Sequence, residues 1–168
     1  MHPSSDAILT QPEPVRTFLD AARAARPDLQ EISAWEVRCI GLDAETTQQI
    51  FELIRIRDKT GTFSLPWMVE RTDRRVPHVG LCLVLVDMTG RPTLLVRLVA
   101  VREALFGQVT EADTAVDGSP VRDPVVWKAL HEQYWNSLLA PYGLCVSDQM
   151  PFWIESFELL FDVDAVGT

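Results

Sequence analysis

Lysine, histidine, cysteine and glycine are all scarce in this 168-residue chain, and each shortage removes a class of function. The three cysteines, Cys39, Cys82 and Cys145, are odd in number and far apart. They exclude a disulfide framework and a Cys-x-x-Cys metal site, and they suit a reducing, cytoplasmic setting. His2, His78 and His131 are too scattered for a metal cluster. The stretch His131-Glu132-Gln133-Tyr134-Trp135 begins like a zinc-protease helix but has Trp135 where the second histidine must stand. Neither a metal nor another cofactor is expected. The glycines build no phosphate-binding loop, and Gly80, Gly90 and Gly107 read as turns. No apolar run approaches the roughly 20 residues of a membrane-spanning helix. Residues Met1 to Asp6 lack the charged and apolar regions of a signal peptide, so the expectation is a soluble protein with no membrane partner.

Positive charge is short as well. The net charge is −9 and the isoelectric point is near 4.7, a balance that repels polyanions and opposes broad adhesion to nucleic acid or anionic lipid. Its distribution is uneven. Residues 55 to 75 carry Arg55, Arg57, Lys59, Arg71, Arg74 and Arg75 against Asp58, Glu70 and Asp73, while the flanking regions are both acidic. One basic island thus sits in an acidic chain, suited to a local polar anion or to balancing acidic neighbours. Within it lies Lys59, one of only two lysines among fifteen cationic residues. A titratable amine among permanent guanidinium groups marks a candidate functional position, the ordinary alternative being a surface lysine beside a strand.

An apolar fraction of 47% over this length can fill the core of a single globular unit. Helical spacing of Val15, Phe18, Leu19 and Ala22 predicts a helix from Pro12 to Arg26, stopped by Pro27. A second amphipathic helix is expected from Ala44 to Ile56 with Asp43 as N-cap. Lys59 then falls just past its end. Thr60 to Leu65 alternate as a strand with Thr60, Thr62 and Ser64 on one face, so Lys59 and Thr62 converge only if Lys59 lies in the preceding turn. Leu81 to Val86 and Thr93 to Val101 are further strands joined by a hairpin through Asp87 to Arg91. Thr110 caps a helical turn to Asp113, and Asp117-Gly118-Ser119-Pro120 is a loop. Asp123-Pro124 opens a helix to Leu139, as N-cap and N1, with Trp127, Leu130, Tyr134 and Leu138 read as core. Phe152 to Phe161 is the last strand. Short strands with helices inserted between them indicate an α+β fold with a mixed, partly closed β-barrel.

Lys59-Thr60-Gly61-Thr62-Phe63-Ser64-Leu65 resembles the Lys-Thr-x-Thr-x-Ser-Leu motif of the ASCH domain family, in particular its larger bacterial branch. Pro77-His78-Val79-Gly80 before Leu83 to Asp87, Val109-Thr110-Glu111-Ala112, the helix from Asp123 to Trp135, and Met150-Pro151 with Glu155 and Phe157 follow in the family's order. The resemblance runs from Ile54 to Phe161, with a weaker match at Trp35. It implies a PUA-like barrel, flanking helices, and an N-terminal extension over residues 1–40 whose one helix packs on the barrel formed by residues 41–168.

It also implies a cleft for a nucleoside or nucleic-acid base. The family includes amidohydrolases that remove acyl groups from the exocyclic nitrogen of cytidine, a ribonuclease, and presumed RNA-binding members. Carried over by position, the catalytic residues are Lys59, Thr62 and Asp117. Thr60, Ser64, Trp67, Arg71 and Glu111 are the expected substrate contacts. A threonine hydroxyl needs a base to become a nucleophile, and a neutral lysine in a dry pocket among Arg55, Arg57 and Arg71 would serve. Ser64 or backbone N–H groups would stabilise the oxyanion. Two positions depart from the pattern: Asp117 is shorter than the family's glutamate, and Arg57 stands where glycine is usual. The expected partner is a small nucleoside-like substrate. Single-stranded RNA held by Arg71, Arg74 and Arg75, or a small metabolite bound without turnover, are the competing expectations.

Overall fold

Apolar spacing at one helical face, an acidic cap and two prolines delimit the main helices. In the computed structural model, which describes residues 12–165, α1 spans Pro12–Ala25 and buries Val15, Phe18, Leu19 and Ala22. Helix α2, Ala44–Arg55, starts at a capping box: the Asp43 carboxylate accepts the Thr46 N–H at 2.7 Å while the Thr46 hydroxyl accepts the Asp43 N–H at 3.0 Å. Helix α5, Pro124–Leu139, starts with the Asp123 carboxylate on the Val125 N–H at 2.9 Å and proline at the first position. Among the described residues two single-turn helices, α3 (Pro66–Val69) and α4 (Glu111–Thr114), complete the helical elements, apart from short 3-10 turns.

Five strands form one mixed sheet: β1 (Trp35–Cys39), β2 (Gly61–Ser64), β3 (Cys82–Val86), β4 (Pro92–Leu105) and β5 (Pro151–Asp162), in the order β1-β3-β4-β5-β2. Only β1 and β3 pair in parallel. Register shifts along β4 and β5, between Leu95 and Val96 and between Leu98 and Ala100, bend these long strands, as bulges do. The sheet therefore curls into a half-barrel.

Strand alternation divides the interior. From β3, Cys82, Val84 and Val86 face α1 and join Phe18, Leu19 and Phe161, while Leu83 and Leu85 join Phe51 and Ile54 of α2 on the other face. A third cluster gathers Trp127, Trp135 and Leu139 of α5 with Phe106, Met150 and Phe152. The sheet is thus covered on both faces, which explains the unbroken apolar runs of β3 and early β4.

The main elements fall where the sequence predicts them, with differences of physical interest. Strand β1 and helix α3 have no sequence expectation. Strand β4 runs on to Leu105, because paired with β5 its second half tolerates exposed Arg102 and Glu103. Leu130 is not core: it is 43% exposed, and the buried stripe of α5 runs through Trp127, Trp135 and Leu139. Residues 1–40 supply β1 as well as α1.

Candidate active cleft

The turn after α2 delivers the lysine. The Asp58 N–H donates to the Leu53 carbonyl at 2.9 Å and the Arg57 N–H to the Ile54 carbonyl at 3.0 Å, the paired bonds of a Schellman helix stop. Such a stop needs one left-handed residue, and Arg57 supplies it at φ 62°, the one non-glycine positive φ among the described residues. The glycine usual at this position is replaced without loss of the turn. The Lys59 N–H also returns to the Leu53 carbonyl, at 3.0 Å. Lys59 therefore precedes β2, the arrangement required for it to face the same space as Thr62.

Lys59 is only 5% exposed, and its Nζ donates to Asp117 Oδ1 at 2.8 Å. The same oxygen accepts the Gly118 N–H at 2.8 Å. The loop bearing Asp117 is fixed to the lysine turn by several bonds. The Thr60 N–H donates to the Val116 carbonyl at 2.8 Å, the Ser119 N–H to the Asp58 carboxylate at 3.0 Å, and Arg122 Nε to the Asp117 carbonyl at 3.0 Å. Gly61 makes the approach possible, since a Cβ there would lie 2.7 Å from the Val116 side chain and 2.8 Å from the Glu155 carbonyl oxygen.

Lys59, Thr62 and Asp117 line one cleft of about 270 Å3, bounded by β1, α2, the 117–121 loop and α5. On its β1 side Arg38 is 6% exposed, with Nε on Glu36 at 2.9 Å and Nη1 on Glu155 at 2.8 Å. Burial opposes the guanidinium charge, but the Glu155 and Glu36 carboxylates outweigh it and raise the Arg38 pKa. Neither bond engages Nη2, which has no hydrogen-bond partner among the described residues. Glu155 is fully buried, lies directly across the β2–β5 pair from Thr62, and keeps Oε1 without a hydrogen-bond partner.

Across the cleft stands His131. Its ring stacks on Trp127 with centroids 4.1 Å apart, meets Phe63 and Trp135 edge-on, and its Nδ1 lies 2.9 Å from the Trp127 carbonyl oxygen. Burial pushes its pKa from 6.5 down to about 4, the Trp127 carbonyl and Asp117 opposing the shift and Lys59 adding to it. Tyr134, Leu130, Gln49 and exposed Arg74 also line the cleft. Burial raises the Tyr134 pKa, with Arg74 pulling the other way.

The expected substrate contacts fare differently. Thr60, Ser64, Trp67, Arg71 and Glu111 all lie outside the lining of this cleft. Thr60 is exposed ahead of β2, and Ser64 is buried at the strand's far end with its Oγ unpartnered. Trp67 packs beside the α5 cluster, and Arg71 donates to the Trp67 carbonyl at 2.7 Å. Glu111 is exposed in α4, where Thr110 and Asp113 form the capping box instead. The arginines expected around the lysine are elsewhere too: Arg55 is bonded to Asp162 at 2.8 Å and to Glu52 and Asp164, and Arg57 is exposed. Arg38 and His131 are polar cleft residues to which the sequence assigned no catalytic or substrate-binding role. The signal for Arg38 was weak, an arginine alternating with Val37 in a short strand. That for His131 was its position one turn after Trp127.

No curated protein matches the chain. Among solved structures it is similar to an ASCH domain from Lactobacillus crispatus JV V101, with a TM-score of 0.78 at 19% identity over 88% of this chain and 94% of that one. It is also similar to protein EF3133 from Enterococcus faecalis V583, with a TM-score of 0.77 at 21% identity over 90% of each chain. At these identities the likeness establishes the fold, a PUA-like curled sheet with flanking helices. The sequence model of the ASCH domain matches residues 37–161, from β1 to the end of β5, and on that match the chain belongs to the ASCH domain family.

Proposed function

We propose that the cleft is a hydrolytic site for an N-acylated pyrimidine nucleoside, removing the acyl group from the exocyclic nitrogen of an N4-acylcytidine-like compound. The observation that carries this is the meeting of Lys59, Thr62 and Asp117 in one cleft, at a volume near the small end of small-molecule sites. Thr62 Oγ1 attacks the acyl carbon as its proton passes to Lys59 Nζ. Asp117 positions the amine for this transfer, accepting a hydrogen bond from Lys59 Nζ at 2.8 Å. As the C–N bond breaks, Lys59 returns the proton to the leaving nitrogen and the acyl group remains on Thr62. Water, deprotonated by Lys59, then releases the carboxylic acid and restores the hydroxyl.

The oxyanion takes its hydrogen bond from Arg38 Nη2. The Gly118 and Ser119 N–H groups are engaged by Asp117 and Asp58, and Ser64 is outside the cleft. A net charge of −9 favours a small neutral substrate over a long polyanion. One observation favours a second reading: Arg74 is exposed at the cleft with no ion-pair partner among the described residues, so it is available to a phosphate of single-stranded RNA.

Incubation with N4-acetylcytidine, followed by ultraviolet absorbance and by release of acetate and cytidine, tests the first reading. Turnover supports it. A folded protein that leaves the compound intact but retains single-stranded RNA, with affinity falling steeply as salt rises, supports the second.

A further inference from the structure

His131 has no part in the chemistry above, yet its side chain lines the same cleft. The Trp127 carbonyl can only accept, so at 2.9 Å it fixes the imidazole proton on Nδ1. That leaves Nε2 as the free nitrogen, with no hydrogen-bond partner among the described residues. The ring itself is immobilised: stacked on Trp127 at 4.1 Å, edge-on to Trp135 at 5.0 Å and to Phe63 at 5.4 Å. A polar atom held this rigidly in an aromatic wall is a directional contact.

We propose that His131 is a specificity-determining residue of the cleft, accepting through Nε2 a hydrogen bond from an N–H of the bound ligand. Resting on the amidohydrolase reading, this assigns the cleft to secondary amides, whose N–H lies beside the carbonyl under attack. The cleft offers the complementary pair: His131 accepts from the amide N–H, while Arg38 Nη2 donates to the carbonyl oxygen. The groups facing the ring fit that role. The surrounding apolar rings and nearby Lys59 disfavour a second proton on the imidazole, while the Trp127 carbonyl and Asp117 favour one. A ring this weakly basic near neutral pH suits accepting a hydrogen bond better than carrying protons.

The test has two arms, and the first needs no ligand. Imidazole nitrogen NMR of the labelled protein is expected to show His131 as a single Nδ1-protonated tautomer from neutral pH down to about pH 5. A protonated Nε2 in that range overturns the assignment whatever the cleft binds. The second arm compares N4-acetylcytidine with its N4-methyl derivative, which lacks the amide N–H. The native protein is expected to bind the N–H compound about tenfold more tightly, the worth of one neutral hydrogen bond. His131→Phe, which keeps the stacked ring, removes that preference, and His131→Gln partly restores it. Equal affinity for both compounds in the native protein, or an unchanged preference in His131→Phe, sinks the His131 assignment and leaves the amidohydrolase reading intact. Failure of the native protein to bind either compound defeats the amidohydrolase reading, while the tautomer arm still decides whether His131 presents an acceptor.

Discussion

At the scale of single residues, the cleft is built from positions where an ordinary rule is broken. Arg57 adopts the left-handed conformation that favours glycine, and the bonds of the helix stop around it hold it there. Arg57→Gly is expected to raise stability by about 0.5–1 kcal/mol, because a strain of about 1–2 kcal/mol is relieved at some cost in chain entropy. Urea unfolding measures it, and a lower midpoint in the variant contradicts the strain. His131 breaks another rule, as a half-buried imidazole packed among aromatic rings and held well below its ordinary pKa. The unfolded chain binds a proton near 6.5 and the folded one only near 4, so folding loses stability as the pH falls through that window and is unaffected above it. The expected loss attributable to His131 is about 3 kcal/mol at ~1.4 kcal/mol per pH unit. It appears as a difference in pH dependence between the native protein and His131→Phe, and identical profiles contradict it. Lys59 was legible in the sequence because lysine is so rare there. Arg38 and Glu155 were less so, since their pairing joins strands far apart in the chain.

Among elements, the segment from Arg57 to Ser64 matters most, where a helix stop, a turn and a short strand follow without a spare residue. The caps of α2 and α5 and the termini of both helices were legible because capping is a local effect of a few adjacent residues. Strand β1 was not, since its five residues owe their conformation to pairing with β3 rather than to their own pattern. The same reason hid the true facing of α5. Its weak amphipathicity left Leu130 looking like core, and only the position of the cleft shows why it is exposed. Gly61 is the tightest point between elements, where β2 meets β5 and the Asp117 loop. Gly61→Ala must push one of them away, so it is expected to cost about 1–3 kcal/mol and to abolish turnover of N4-acetylcytidine. Thermal unfolding and the absorbance assay read both effects, and a variant with native stability and rate contradicts the close packing.

For the molecule as a whole, the fold was legible from an ordered series of weak motifs, but the completeness of the sheet was not. Helix α1 precedes the matched region and β1 straddles its start, yet Phe18, Leu19 and Ala22 cover one face of the sheet and β1 forms its edge. Removing residues 1–34 uncovers Val84, Leu95 and Phe161, each worth roughly 1.5–3 kcal/mol when buried. The shortened chain is expected to aggregate or to lose cooperative unfolding, and a soluble fragment with a sharp transition contradicts that dependence. Among the described residues no helix is long and apolar enough to cross a membrane. The curled sheet, covered on both faces, leaves the cleft between β1, α2, α5 and the 117–121 loop. That the cleft hydrolyses an amide, with Thr62 as nucleophile and Lys59 as its base, is the central claim. The most direct test is the rate of N4-acetylcytidine hydrolysis by the native protein beside Lys59→Ala and Thr62→Ala, each shown to be folded by thermal unfolding. The account predicts turnover by the native protein and a loss of about 100-fold or more in each variant. Native-like rates in either folded variant, or no turnover by the native protein, would contradict it.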